Sequence, residues 1–207
     1  MSTTFNTRAI ILGRENWRED DKRAVFYSID YGKLEAVAIG AAKIASKLAG
    51  HLEPGRQVDL MLAKGKNIDK VGQAVTRVSY LDRAESFEAY WYGQKCLNLV
   101  DALTRPGQKD LKLFALLKNF LQLTGQRIPA NKWPQLYYAF SLKLLELLGF
   151  RPRLELYRES WPLPILKISQ ASLLLSLPAI TKLEINKELL LSFGRFTKEL
   201  IMVTKDL

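Results

Sequence analysis

At 207 residues and 48% hydrophobic content, the chain carries enough apolar material for real cores, which excludes an intrinsically disordered tail. Its 31 lysines and arginines stand against 21 acids, a net charge of +10 that favours polyanionic partners such as nucleic acid or an acidic membrane face. One cysteine, Cys96, and one histidine, His51, exclude an intramolecular disulfide and a zinc cluster of Cys and His.

Residues 1–80 read as strands. RAIILGR (8–14), RAVFYSID (23–30), GKLEAVAIG (32–40), RQVDLMLAK (56–64) and VGQAVTRVSY (71–80) are alternating or β-branched runs separated by turn material. The tight turns DYGK (30–33) and KGKN (64–67) predict hairpins between strands two and three and between strands four and five. The one long gap, 41–55, has room for a short helix. Five short strands with a single helix in that position is the order of an oligonucleotide-binding (OB) barrel.

After residue 80 the period changes to 3.6, which predicts helices over 82–103, from a cap at Asp110 to Gly125, and from Pro134 to Gly149. A proline-punctuated, irregular stretch follows at about 152–171, then an apolar run over 172–177 and a last amphipathic helix over about 186–203. The expected class is therefore α+β, with an N-terminal barrel over 1–80 and a mainly helical domain over 81–207. Cys96 lies in a helical apolar pattern and reads as a small buried hydrophobe, in keeping with a reducing compartment. MSTTFNTR lacks the apolar core of a secretory signal, and the apolar stretches are too short to cross a membrane, so a cytoplasmic location is expected.

The placement of charge says more than its sum. Residues 102–145 hold seven basic residues, Lys112 and Lys118 among them, and one acid. Residues 40–77 hold seven basic residues and three acids, while 146 onward is nearly balanced with nine against seven. Catalytic material is scarce: His51 has no nearby nucleophile in an elbow context, and Gly65-Lys66 lacks the rest of a phosphate-binding loop. The acids Glu15, Glu19, Asp20 and Asp21 read as a solvated loop rather than a Mg²⁺ site, and no cofactor is expected. Phosphate binding has better material. Small residues at 40–42 would let backbone amides approach a phosphate, Lys43 and Lys47 would share one helical face, and Lys64 and Lys66 flank a hairpin tip. Trp17 is the best exposed aromatic for stacking a base, whereas Tyr90, Trp91, Tyr92, Tyr137 and Tyr138 read as helix-packing residues.

The runs RAIILGRENWREDDKRAVF, DYGK, AVAIGAAKIASKLAGHLEP and VDLMLAKGKNID resemble the N-terminal domain of the RecO family of bacterial recombination mediators. FSLKLLELLGFRPRLE resembles its central helical segment, and NKELLLSFGRFTKELI the helix that closes its helical domain. The resemblance implies a non-enzymatic, nucleoid-associated DNA-repair protein. Such a protein binds single- and double-stranded DNA, anneals complementary strands, engages the acidic tail of single-stranded-DNA-binding protein and acts with RecR to load RecA. DNA contacts carried over from the family fall on Arg14, Arg23, Lys33, Lys43, Lys47 and Arg56; a groove for the tail is expected around Tyr138, Leu142, Leu145 and Leu148. Two departures stand out. Ile39 and Ala42 occupy positions beside the Gly40 turn that are basic in the family, and Tyr157 and Ser160 replace a zinc-binding Cys-x-x-Cys. No metal is therefore expected, and Trp161, Leu163, Ile165 and Leu166 would hold that segment by apolar packing. The alternatives carried forward are an RNA-binding OB-fold protein and a protein-interaction adaptor with an incidental basic surface.

Overall fold

The computed structural model of the chain describes residues 3–44 and 46–205. β1 (Thr4–Asn16), β2 (Lys22–Ser28), β3 (Gly32–Ala38), β4 (Arg56–Ala63) and β5 (Asp69–Ser79) close into a barrel in the order β1-β2-β3-β5-β4. All neighbours are antiparallel except β3 and β5, which run parallel through Ala36–Asp69 and Val37–Lys70. This is the OB order that the five alternating runs predict. Closure is possible because the inward positions of the first three strands are small: Ala9, Ala24, Ala36 and Ala38 leave room for Ile11, Phe26, Leu60 and Leu62 to fill the interior. β1 serves two partners, β4 with its first half and β2 with its second, and its register shifts between Ile11 and Gly13 where it bends.

Among the described residues of the long gap, one turn of 3₁₀ helix, Ala49–Leu52, forms. Those residues show no helix carrying Lys43 and Lys47 on one face as expected: Gly40 takes φ +66° and starts consecutive tight turns, with Ala41 N–H donating to Ala38 O and Lys43 N–H to Gly40 O. Ala41 and Leu52 close one end of the barrel.

The helices are α1 (Phe87–Leu103), α2 (Leu111–Leu123), α3 (Trp133–Leu147), α4 (Leu163–Leu174), α5 (Leu177–Ile180) and α6 (Lys187–Lys205). α1 starts five residues later than its periodicity suggests, because the Ser86 hydroxyl caps it by accepting from Ala89 N–H at 3.1 Å. Asp110 caps α2 through Lys112 N–H (2.7 Å) and Leu113 N–H (3.1 Å), Pro134 lies in the first turn of α3, and Gly149 at φ +89° follows its end. Asn186 Oδ1 caps α6 through Leu189 N–H at 2.8 Å. The stretch expected to be irregular turns helical from Leu163: α4 opens within it and runs on into the apolar run, ending at Leu174. Prolines at 162 and 164 sit before it and in its first turn, where the missing N–H costs nothing, so they start a helix where a chain reading sees a break.

Barrel and helices share apolar surface. Phe26 points into the barrel, whereas Tyr27, Ile10 and Leu12 on the outer side join Tyr80, Leu81, Leu97, Leu117 and Phe140 in the helical core. Leu142 and Leu145 belong to a further cluster with Ile165, Leu166, Phe193 and Phe196, on which Trp161 and Tyr157 stack edge-on. Ile165 and Leu166 thus hold the segment as expected; Leu163 does not, being exposed.

Candidate nucleic-acid interface

Strand register places several cations on one side of the barrel. On the outer side of β2-β3-β5, Arg23 pairs with Val37 and Val37 with Lys70, so the two basic side chains flank one valine across three strands. The loop 17–21 borders this face at one end, and Ala42 N–H donates to Asp20 O at 2.8 Å, which fastens the Gly40 turn onto that loop. Lys43 therefore comes beside Asp20 (3.2 Å), with both side chains more than half exposed. The β4–β5 loop supplies Lys64, which reaches Asp69 at 2.9 Å and lies over the Phe5 ring, and Lys66, which is exposed. Trp17 is exposed on its loop with the Arg23 guanidinium over its ring. Lys70, just past the β4–β5 loop, was not among the expected binding residues; the two-residue period of β5 was the available signal.

Arg23 is the best anchored of these cations. Its guanidinium donates to Glu35 and, at 2.9 Å, to Glu15; the Glu35 hydrogen bond raises its pKa against the opposing effect of burial. The Gly40 turn does not present open amides. Gly40 N–H is taken by Asp21 Oδ1 at 2.8 Å, and the next three by backbone carbonyls. Acids that read as a solvated loop thus occupy the place where a phosphate was expected.

Three of the ten expected cations are spent inside the fold. Lys33 is nearly buried, with its ammonium on both the carboxylate and the carbonyl of Asp101 at 2.6 Å, which ties β3 to α1. Arg14 holds Glu53 (2.6 Å) and Ala49 O, and Arg56 holds Asp82 (2.6 Å) and Gly50 O, bracing the long loop and the barrel–helix junction. Breaking an ion pair as enclosed as that of Lys33 leaves a buried charge, whereas exposed pairs such as Lys43–Asp20 exchange partners at little cost. Lys112 and Lys118 lie away from the barrel face, in clefts on either flank of α2.

The peptide groove expected at Tyr138, Leu142, Leu145 and Leu148 is filled by the chain itself. Leu142 and Leu145 are fully covered by α4 and α6, and Tyr138 packs edge-on against Phe193 of α6. An open, mainly apolar cleft lies instead between α2 and α5; it is lined by Leu116, Leu123, Leu177 and Pro178, with Lys112 and Lys143 beside it and a volume of about 610 Å³. Lys143 donates to Leu173 O at 2.7 Å, and burial lowers its pKa. Trp91 and Tyr90, expected to pack between helices, are about half exposed; Trp91 stacks on Phe87, and Lys95 lies over Trp91, Tyr92 and Tyr137. No helix among the described residues is long and apolar enough to cross a membrane.

A closed OB barrel with basic side chains on the outer side of β2-β3-β5, fused through a shared core to a helical domain, defines the class. The chain belongs to the RecO family: the N-terminal domain of recombination protein O matches residues 1–80, and its C-terminal domain matches residues 84–156. Similar curated proteins are DNA repair protein RecO of Pelotomaculum thermopropionicum, 32% identical over 151 residues (73% of this chain, 57% of that protein), and that of Symbiobacterium thermophilum, 32% identical over 150 residues (72% and 58%). DNA repair protein RecO of Alkaliphilus metalliredigens is 29% identical over 150 residues (72% and 60%). The chain spans a little over half the length of these relatives. Helices α4, α5 and α6 lie beyond the matched domains, including the helix whose sequence resembles the family's closing one.

Proposed function

We propose that the chain is a DNA-repair protein of the recombination-mediator kind. It binds single- and double-stranded DNA on the outer face of β2-β3-β5 and its flanking loops, anneals complementary strands, and, with RecR, helps load RecA at DNA coated by single-stranded-DNA-binding protein. The observation that carries this reading is the convergence of Arg23, Lys43, Lys64, Lys66 and Lys70 on one side of an OB barrel, with Trp17 at the margin. Lys47, exposed farther along the long loop, adds a further cation. Phosphate displaces a weakly held acid such as Asp20, because an exposed pair contributes only about 0–1 kcal/mol. Neutralising phosphates on two strands removes their mutual repulsion, so complementary strands meet without fuel and no catalytic group is required. The acidic tail of single-stranded-DNA-binding protein finds its apolar socket between α2 and α5, where Lys112 and Lys143 supply the complementary charge. The site of this work is the bacterial cytoplasm, at the nucleoid.

The test is annealing of complementary oligonucleotides, with and without single-stranded-DNA-binding protein, for the native chain and for Lys43→Glu/Lys47→Glu. The reading expects annealing by the native chain, its loss in the variant, and a Kd for single strands that rises steeply between about 50 and 200 mM salt. A salt-independent Kd refutes phosphate binding, and a clear preference for a matched RNA strand moves the protein to RNA metabolism.

A further inference from the structure

The barrel face takes one strand, and annealing needs two. A second basic cleft, of about 590 Å³, lies between the exit of α3 and α4, with no barrel residue in its lining. Arg151, Arg153 and Arg158 form one wall and Lys167 of α4 the other, with a single acid, Glu155, between them. Leu166 closes the floor and is buried against the cluster around Phe193 and Phe196, so the walls rest on a packed support. Arg151 reaches Glu146 at 3.4 Å from a largely exposed position. Among the described residues, Arg153, Arg158 and Lys167 have no carboxylate in ion-pair reach, whereas six of the ten cations expected at the DNA surface do: Arg14, Arg23, Lys33, Lys43, Arg56 and Lys64.

We infer that this cleft binds the phosphates of a single-stranded nucleic acid and is a second strand site, so that one chain holds two strands at once. Uncompensated cations on facing walls repel one another in the unbound protein, and a chain of regularly spaced negative charges relieves that repulsion along its length. Arginine, the majority cation here, matches a phosphate with two parallel N–H donors. An acidic peptide is the competing occupant. Leu163, Leu173 and Leu174 line this cleft too, so the choice rests on charge: three arginines and a lysine here, against two lysines at the cleft between α2 and α5, where an anchoring side chain meets a mainly apolar lining. The balanced charge of the C-terminal part hides the cleft in the sequence: its acids Glu184, Glu188 and Glu199 fall outside the cleft lining.

The inference rests on the strand-binding reading above, and one experiment separates their failures. Native chain, Arg153→Glu/Arg158→Glu/Lys167→Glu and Lys43→Glu/Lys47→Glu are titrated with labelled oligo(dT), which has no complement, and the number of strands bound per chain is read from the titration. Native chain is expected to take two strands and the cleft variant one. First-strand affinity in the cleft variant stays within about twofold, second-strand binding, which in the native chain carries a salt slope of at least about 2 from three phosphate contacts, is lost, and annealing slows at least about tenfold. All three substituted residues are exposed, and an unchanged melting temperature confirms the fold. If the native chain binds no strand, the strand-binding reading fails and this inference with it. If it binds strands and the cleft variant matches it in number and annealing rate, the cleft inference alone is overturned. Loss of binding to a labelled acidic peptide in the cleft variant, with strand number unchanged, also overturns it and assigns the cleft to a protein tail.

Discussion

Asp20→Asn isolates the competition between the chain's own acids and a bound strand. Asp20 Oδ2 lies 3.2 Å from Lys43 Nζ, while the backbone carbonyl of Asp20, which the substitution leaves untouched, fixes the Gly40 turn by accepting from Ala42 N–H at 2.8 Å. In bulk water two unit charges at that separation attract by about 1.3 kcal/mol, and screening at physiological salt reduces this to about 0.9 kcal/mol. Exposed pairs measure no more than about 1 kcal/mol. Freeing Lys43 should therefore tighten single-strand binding by at most about fivefold and leave the salt slope nearly unchanged, because the Lys43–phosphate contact forms in both chains. The assay is fluorescence anisotropy of a labelled oligonucleotide across a salt series. Glu19→Gln is the control: it removes the same charge from the same loop, and among the described residues Glu19 makes no ion pair. Equal effects of the two substitutions, or weaker binding by Asp20→Asn, would refute the competition.

Ile39→Lys places a cation on the exposed position beside the Gly40 turn, and should tighten strand binding with a salt slope about 0.7 steeper; an unchanged slope removes this turn from the interface. Gly32→Ala tests the clamp between barrel and helices. Gly32 sits at φ +67°, a side chain there would run into the Gln108 backbone, and the neighbouring Lys33 carbonyl accepts from Gly107 N–H at 3.0 Å. A loss of at least about 2 kcal/mol, or about 4–8 °C in melting temperature, is expected by calorimetry, and an unchanged melting temperature dismisses the clamp. Burial pushes Tyr27 and Tyr137 up to about 12 from 10.0, so their protonated forms belong to the fold. Their contribution is complete below pH 10 and is lost as pH rises through about 12, so unfolding should accompany their ionisation in an ultraviolet absorbance titration. Titration of all eight tyrosines near pH 10 in a folded chain would contradict the packing.

Much of the architecture was legible in the chain because it depends on neighbours a few residues away. Alternation marked all five strands, the small inward alanines permitted a closed barrel, and Asp110 and Pro134 marked helix starts through groups within their own first turns. Prolines 162 and 164 misled for the same local reason, since a proline reads alike whether it ends one element or opens another. The site was less legible. Lys33 and Lys66 look equivalent as isolated lysines beside turns, yet Lys33 meets Asp101, 68 positions away, and Lys66 meets solvent. Leu142 and Leu145 have the spacing of an open apolar stripe, but α4 and α6 return to cover them. By itself, then, the sequence determined the period of the five strands and of α1, α2, α3 and α6, the barrel order and the excess of positive charge. Only tertiary structure decided which cations were already spent, which carboxylates shielded the Gly40 turn and where Arg153, Arg158 and Lys167 line one cleft with no carboxylate in ion-pair reach among the described residues, because pairing and burial are through-space properties whose partners come from distant parts of the chain.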